Sequence, residues 1–252
     1  MQTIIAEVMN NTMTVIHTHI LSGIDDGAAD ETESFELINL ERVSGVRRIV
    51  FTPHFNFERQ DLEEFVHNRA EAYRKIATLP KDVAVKLGAE VFFSPKLCEQ
   101  DIRPLCIQDT NYILIELNTE HYPFALDETL YRIQLAGYTP VLAHVERYSY
   151  LSDNPKLLHH WVEKGWVAQI NAGSLFHEYR QRKLVMGWIK KGLVQVVASD
   201  VHSVQKRRPC LDKAMMLIGR RCGAEVADTL IDNSKRVFDG DSICTGGDIW
   251  VE

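Results

Sequence analysis

The chain has 252 residues, of which 45% are hydrophobic and 25% charged, a size and balance suited to one globular domain of barrel size or two small ones. Its formal net charge of −7 argues against a non-specific nucleic-acid or membrane-surface binder. No apolar run approaches the roughly 20 residues that cross a bilayer, so no membrane insertion is expected.

The chain opens with MQTIIAEVMNN, which has no basic region and no continuous apolar stretch, so no signal peptide is predicted. The first strand is predicted at residues 14–17, a β-branched run ending in His17, with His19 two positions on. Side chains at i and i+2 of an extended strand share a face, so both imidazoles aim at one point past its end. Asp25 and Asp26 follow closely. Two neutral imidazoles with a carboxylate suit a divalent transition metal. A helix is predicted from Asp30, which with Glu33 forms a capping-box-like start; Phe35, Leu37, Ile38 and Leu40 supply its apolar face, and Gly45 ends it.

Strands at 48–52, 83–87, 112–116, 140–144, 167–171 and 193–199 alternate with helices near 60–78, 125–136, 154–164, 178–191, 209–221 and 224–238. Most of these strands lack polar alternation, as expected where a parallel sheet is buried on both faces. No linker or low-complexity tract interrupts the alternation, which favours one barrel-like α/β domain over residues 1–252. No G-x-G-x-x-G or P-loop pattern is present.

The ligand-type residues fall at the strand ends. His17 and His19 follow the first, His54 the second, Glu90 the third, Glu116 the fourth, His144 the fifth, and Asp200 and His202 the seventh. In a parallel α/β fold all strand C-termini lie on one face, where active sites form. Residues far apart in the chain thus converge on one rim. The set exceeds the needs of one ion, which implies two or three divalent ions sharing carboxylates, an arrangement suited to phosphate-ester hydrolysis. Donors of N and O without thiolate fit Mn²⁺, Fe²⁺ or Zn²⁺. Arg147 lies three residues after His144, and Arg207 and Arg208 lie five and six after His202. A guanidinium binds phosphate oxygens bidentately, so these are candidate substrate residues. His67, His159, His160 and His177 read as surface or packing residues, and His121 as a loop residue near the rim.

The motifs HTHILSGIDDGA, GVRRIVFTPH, GAE, YILIEL, LAHVERY, INAGSL and ASDVH followed by RRP run in order from residue 14 to about 215. In these the chain resembles the PHP (polymerase and histidinol phosphatase) superfamily, and within it the bacterial protein-tyrosine phosphatases of capsule and exopolysaccharide operons, the CpsB/CapC/YwqE group. The resemblance implies a distorted (β/α)7, TIM-like barrel with a trinuclear centre, often of manganese. It implies hydrolysis of phosphotyrosine on a bacterial tyrosine kinase that controls capsule or exopolysaccharide synthesis. By the same resemblance, His17, His19, Asp26, His54, Glu90, Glu116, His144, Asp200 and His202 match metal ligands. Arg147 and one of Arg207 or Arg208 match the arginines that take the substrate phosphate.

Two features depart from the pattern. Val145 stands where the family usually has proline, which is expected to loosen the turn that aims Arg147, and the spacing from His202 to the Arg–Pro pair is one residue long. His54 and Asp200 are the candidates for assisting the departing phenolate. A cysteine-dependent tyrosine phosphatase needs arginine six residues after its nucleophile. Here Cys98, Cys106, Cys210, Cys222 and Cys244 are followed at that distance by Pro104, Tyr112, Met216, Asp228 and Trp250, so that chemistry is excluded. The scattered cysteines, without a CxxC pair, fit a cytoplasmic protein. A PHP phosphoesterase of small phosphates such as histidinol phosphate is the alternative. Association into a homo-oligomer is compatible with the sequence.

Overall fold

The computed structural model describes residues 12–76 and 79–243. The N-terminal segment read for a leader and Cys244 lie outside the described residues.

Short apolar runs form parallel strands, and amphipathic segments between them form helices. The strands are β1 (Met13–Val15), β2 (Val46–Phe51), β3 (His54–Phe55), β4 (Ala84–Leu87), β5 (Glu90–Phe92), β6 (Tyr112–Glu116), β7 (Thr139–Leu142), β8 (Val167–Asn171) and β9 (Val196–Ala198). The helices are α1 (Glu31–Val43), α2 (Leu62–Lys75), α3 (Leu126–Leu135), α4 (Ser149–Asp153), α5 (Pro155–Glu163), α6 (Tyr179–Lys190), α7 (Leu211–Cys222) and α8 (Ala224–Asp239).

All seven strand pairings among the described residues are parallel. They fall into two sheets, β1-β2-β4 and β3-β5-β6-β7-β8-β9. The division is local. β2 and β3 are one strand interrupted at Pro53, and β4 and β5 are one strand interrupted at Gly88. Backbone bonds cross both gaps, from Gly88 N–H to Phe51 O (2.8 Å) and from Glu90 N–H to Pro53 O (3.1 Å). Gly88 suits its position because a Cβ there would lie 3.3 Å from the Val50 side chain. The circuit closes where the chain after β1 meets the chain after β9, through a parallel bridge between Thr18 and Val201. His19 N–H donates to Val201 O at 2.9 Å, and Asp200 N–H to His17 O at 3.0 Å. The result is the expected distorted seven-position barrel. Splitting two positions makes nine strands of the predicted seven, because proline and glycine break the ladder just before His54 and Glu90.

Apart from β4, whose residues are exposed or half-buried, the strands are buried along most of their length, and their apolar side chains form one core cluster with the inner faces of the helices. Asp30 caps α1 as expected, accepting from Glu33 N–H at 2.9 Å. Glu33 departs from the capping-box pattern. Its carboxylate accepts from Ala29 N–H (2.9 Å) and from Val204 N–H (3.0 Å), which ties the start of α1 to the loop after β9.

Candidate metal centre

His17, His19, Glu90, His144 and Asp200 are each at most 2% exposed and meet at the C-terminal rim. The tautomers of the first two follow from the hydrogen bonds around them. The backbone N–H of His144 donates to Gln169 Oε1 at 2.9 Å, which fixes that atom as the amide oxygen. His17 Nδ1, 3.1 Å from the same oxygen, therefore carries a proton. His19 Nδ1 donates to Asp25 Oδ2 at 2.7 Å. In the neutral form of each ring Nε2 is then bare, and the two Nε2 atoms lie 3.0 Å apart. Two lone pairs this close repel unless a metal cation, or a proton on one ring, sits between them.

The neighbouring oxygens complete the argument. Glu90 Oε2 is 3.2 Å from each Nε2, and Asp200 Oδ1 is 3.4 Å from each. Donors about 2.0–2.1 Å from one ion in a tetrahedral set lie roughly 3.3 Å apart. Glu90 Oε2 and His144 Nδ1 are also buried without a hydrogen-bond partner among the described residues. The donor set fits a divalent metal.

Two further groupings adjoin this point: His19, Asp26, His54 and His202, and His54, Glu90 and Glu116. Their outer members are more open, with Asp26 69% and His54 38% exposed, while His19, Glu90 and His202 are buried. Asp26 Oδ1 lies 3.4 Å from His54 Nε2 and 3.6 Å from His202 Nε2. His144 Nε2 joins Glu90 Oε1 at 2.8 Å and approaches Glu116 at 3.6 Å. All nine ligand-type residues expected from the sequence are therefore gathered at one rim.

The electrostatics follow from burial opposed by charge. Burial alone would raise the carboxyl pKa of Glu90 and Asp200. The imidazoles of His17, His144 and His19 hold Glu90 well below the usual carboxylate range. His17, His19 and Arg147 do the same for Asp200. Burial opposes charge on His19, yet Asp200, Asp25 and Glu90 together hold its pKa well above the ordinary value. His202 is pushed down to about 4, by burial first and then by His19. Glu116 is raised by burial and by the nearby Glu90.

Asp25 and Asp26 divide the work of the GIDDGA turn. Asp25 faces inward, holding His19 and accepting from Gly27 N–H (3.0 Å) and His54 N–H (3.1 Å). Only glycine fits at position 27, where a Cβ would overlap the His19 carbonyl oxygen and lie 2.7 Å from His19 Cβ. Asp26 faces the open groupings. Gln169 and Asn171 escaped the sequence reading, which found no ligand on their strand. They alternate along β8 and relay contacts inward: Gln169 Nε2 donates to Asn171 Oδ1 (2.9 Å), and Asn171 Nδ2 donates to Asp200 Oδ2 (2.6 Å). The polar pair in an otherwise apolar strand, QIN, was the available signal.

The arginines separate by geometry. Arg147 Nη2 donates to Asp200 Oδ2 at 2.7 Å. Its turn forms without proline: His144 adopts φ 32°, Val145 is fully buried, and Arg147 N–H bonds His144 O at 2.9 Å. Asp200 also adopts positive φ, 50°, so two site residues hold a backbone conformation that side chains disfavour. Arg207 Nη1 reaches His202 Nε2 at 3.0 Å and Asp200 Oδ2 at 3.6 Å. The Nε of Arg208 instead donates to the Val204 carbonyl. His67, His121, His159 and His160 are exposed, whereas His177 lines a hollow beside the centre. Burial raises the thiol pKa of Cys98, Cys106, Cys210 and Cys222, to about 12 for Cys106 and about 11 for Cys210, so none is poised as a nucleophile.

Two hollows flank the centre. One, of about 460 Å³, has Ile24, Phe55 and Phe92 beside Asp26, His54 and Glu116. The other, of about 610 Å³, has Arg147, Arg207 and Arg208 beside Asp200.

Residues 13–239 match the family described as "Capsular polysaccharide synthesis, CpsB/CapC". The chain is 32% identical over 235 residues to the tyrosine-protein phosphatase YwqE of Bacillus subtilis (strain 168), covering 90% of this chain and 92% of that one. It is 32% identical over 240 residues to the tyrosine-protein phosphatase CpsB of Streptococcus pneumoniae, covering 88% and 97%. A solved structure from work on YwqE and CpsB, described as unique metal-dependent tyrosine phosphatases, superposes with TM-score 0.84 at 30% identity, over 92% of this chain and 96% of that one. A D-hydantoinase, at 11% identity and TM-score 0.59, shares the fold over 94% of this chain and 74% of its own. The rim of nine ligand-type residues, the barrel that assembles it and these similarities together place the chain in the CpsB/CapC family.

Proposed function

We propose that this chain is a metal-dependent protein-tyrosine phosphatase, a phosphoric monoester hydrolase. It acts in the cytoplasm on phosphotyrosines of a bacterial tyrosine kinase that controls capsule or exopolysaccharide synthesis. One domain carries the activity. The observation that carries this reading is the facing pair of Nε2 atoms of His17 and His19, 3.0 Å apart, with Glu90 Oε2 3.2 Å and Asp200 Oδ1 3.4 Å from each. The relatives' phosphatase activity supports the substrate class.

His17, His19, Glu90 and Asp200 would hold one divalent ion; Asp26, His54, His202, Glu116 and His144 would hold one or two more. Manganese is first among the candidates, ahead of iron and zinc. Ions bound there supply an acidified water and positive charge against the phosphoryl oxygens. The protein's own groups do the rest. Gln169 and Asp25 hold the two imidazoles in one tautomer and orientation. Arg147 and Arg207 stand at the edge of the centre, where their guanidinium groups take phosphoryl oxygens and the charge that develops on them. The hollow lined by Ile24, Phe55 and Phe92 suits an aromatic ring, placing the phenolic oxygen near His54. Both Asp200 oxygens are engaged and its carboxyl is held ionised, which leaves His54 of the two candidates; it would assist the leaving group by a proton only while it holds no ion, and otherwise the positive charge of the centre would stabilise the departing phenolate.

The test is turnover by the manganese-loaded protein of p-nitrophenyl phosphate, a phosphotyrosine peptide and histidinol phosphate. Hydrolysis of the first two, abolished by chelation, is expected. Brisk turnover of histidinol phosphate with none of the peptide would overturn the reading.

A further inference from the structure

The larger hollow beside the centre is far more basic than a chain of net charge −7 leads one to expect. Arg147, Lys206, Arg207, Arg208 and Lys213 line it, against the carboxylates of Glu146 and Asp200, which are 6% and 2% exposed. Arg147 and Arg207 turn toward Asp200. Lys206, Arg208 and Lys213 are exposed and pair with no carboxylate among the described residues. The exposed ring of Phe176 stands on the same wall. On the opposite side of the centre the lining carries three carboxylates, Asp25, Asp26 and Glu116, among apolar and neutral polar side chains and His54, and Arg59 is the one Lys or Arg among its described residues. The charge is therefore one-sided.

Like charges crowded together raise the free energy of the bare surface, so such a groove favours an anionic occupant. Because Asp200 and Arg147 belong both to the centre and to the groove wall, whatever fills the groove adjoins the phosphoryl group being hydrolysed. A single phosphate engages at most Arg147 and Arg207, leaving the outer cations for something else attached to the substrate.

We infer that Lys206 and Lys213, with Arg208, form a subsite for acidic side chains flanking the phosphotyrosine on one side, so that the enzyme selects acidic phosphopeptide segments. This rests on the phosphatase reading above. The interaction is exposed and is therefore sensitive to salt.

The test measures kcat/KM with manganese-loaded protein on three phosphotyrosine peptides: acidic residues on the N-terminal side, acidic residues on the C-terminal side, and alanine on both. p-Nitrophenyl phosphate serves as the reference substrate. One acidic peptide is expected to exceed the alanine peptide by about tenfold at low salt, the gap closing as ionic strength rises. The double substitution K206E/K213E should erase that preference while p-nitrophenyl phosphate turnover stays within about twofold, since neither lysine reaches the centre. The salt series on the unaltered protein reads the same preference without any substitution. Equal turnover of all three peptides, or a preference that survives the double substitution, overturns the subsite and leaves the phosphatase standing. Turnover of p-nitrophenyl phosphate with none of any peptide overturns the phosphatase reading instead.

Discussion

The metal centre has an inner and an outer half, and they are built differently. The inner half, around His17, His19, Glu90 and Asp200, is buried at barrel closure, and each of these side chains is oriented by a further contact. The outer half, around Asp26, His54 and Glu116, is open to solvent and flanks the apolar hollow. Two buried carboxylates crowded against two imidazoles make the inner half a place that favours a cation. The outer half tolerates an absent ion because water reaches it. On the proposed reading, a rigid inner ion beside more exchangeable outer ones would let the centre keep its shape while its open face meets substrate.

Removing an inner ligand gives the largest effect. His17→Ala or Asp200→Ala should lower kcat/KM for p-nitrophenyl phosphate by about a thousandfold, with little recovery on adding manganese. Activity within tenfold of the unaltered protein would collapse the distinction between the halves.

Behind the inner half, Glu41 lies fully buried against Ser199, the residue before Asp200, with its Oε2 unpartnered. Burial pushes its carboxyl up from 4.5 to about 7. Between those values the folded chain holds the proton and the unfolded chain does not, so this group's stabilisation is complete below the lower value and is lost as pH rises through the window. The loss amounts to about 3 kcal/mol. Glu41→Gln keeps an acceptor for Ser199 and removes the titration. Urea unfolding from pH 4.5 to 8 should therefore show the unaltered protein losing stability relative to the variant. Parallel curves would refute it.

Asp25→Asn weakens the hold on His19 without removing a ligand. Metal affinity should fall by roughly 10- to 100-fold, read by competition with a chromogenic chelator. Asp26→Ala touches only the outer half. It should cost about tenfold in activity at limiting manganese and recover with excess metal. Failure to recover would mean that Asp26 does more than hold an exchangeable ion.

The halves also differ in how legible they were. Six strand ends carrying His, Asp or Glu announced the rim, and parallel topology alone brought them together. The family pattern picked out Asp26, but nothing in the spacing showed that Asp25 clamps His19, because adjacent carboxylates in a turn are equivalent until the backbone fixes their directions. Gln169 and Asn171 stayed hidden because amides are ordinary strand residues until they are found under a histidine. The interruptions before His54 and Glu90 were visible as proline and glycine, yet only pairing showed them to be breaks within strands. The choice between Arg207 and Arg208 depended on loop geometry that the stretched spacing obscured.

Metal content after dialysis against manganese tests the two-part centre most directly, comparing the unaltered chain with Asp26→Ala and Asp200→Ala. More than one ion per chain is expected in the first, loss confined to the outer positions in the second, and loss of the inner ion in the third. A single ion in the unaltered chain, or full content after Asp200→Ala, would contradict it.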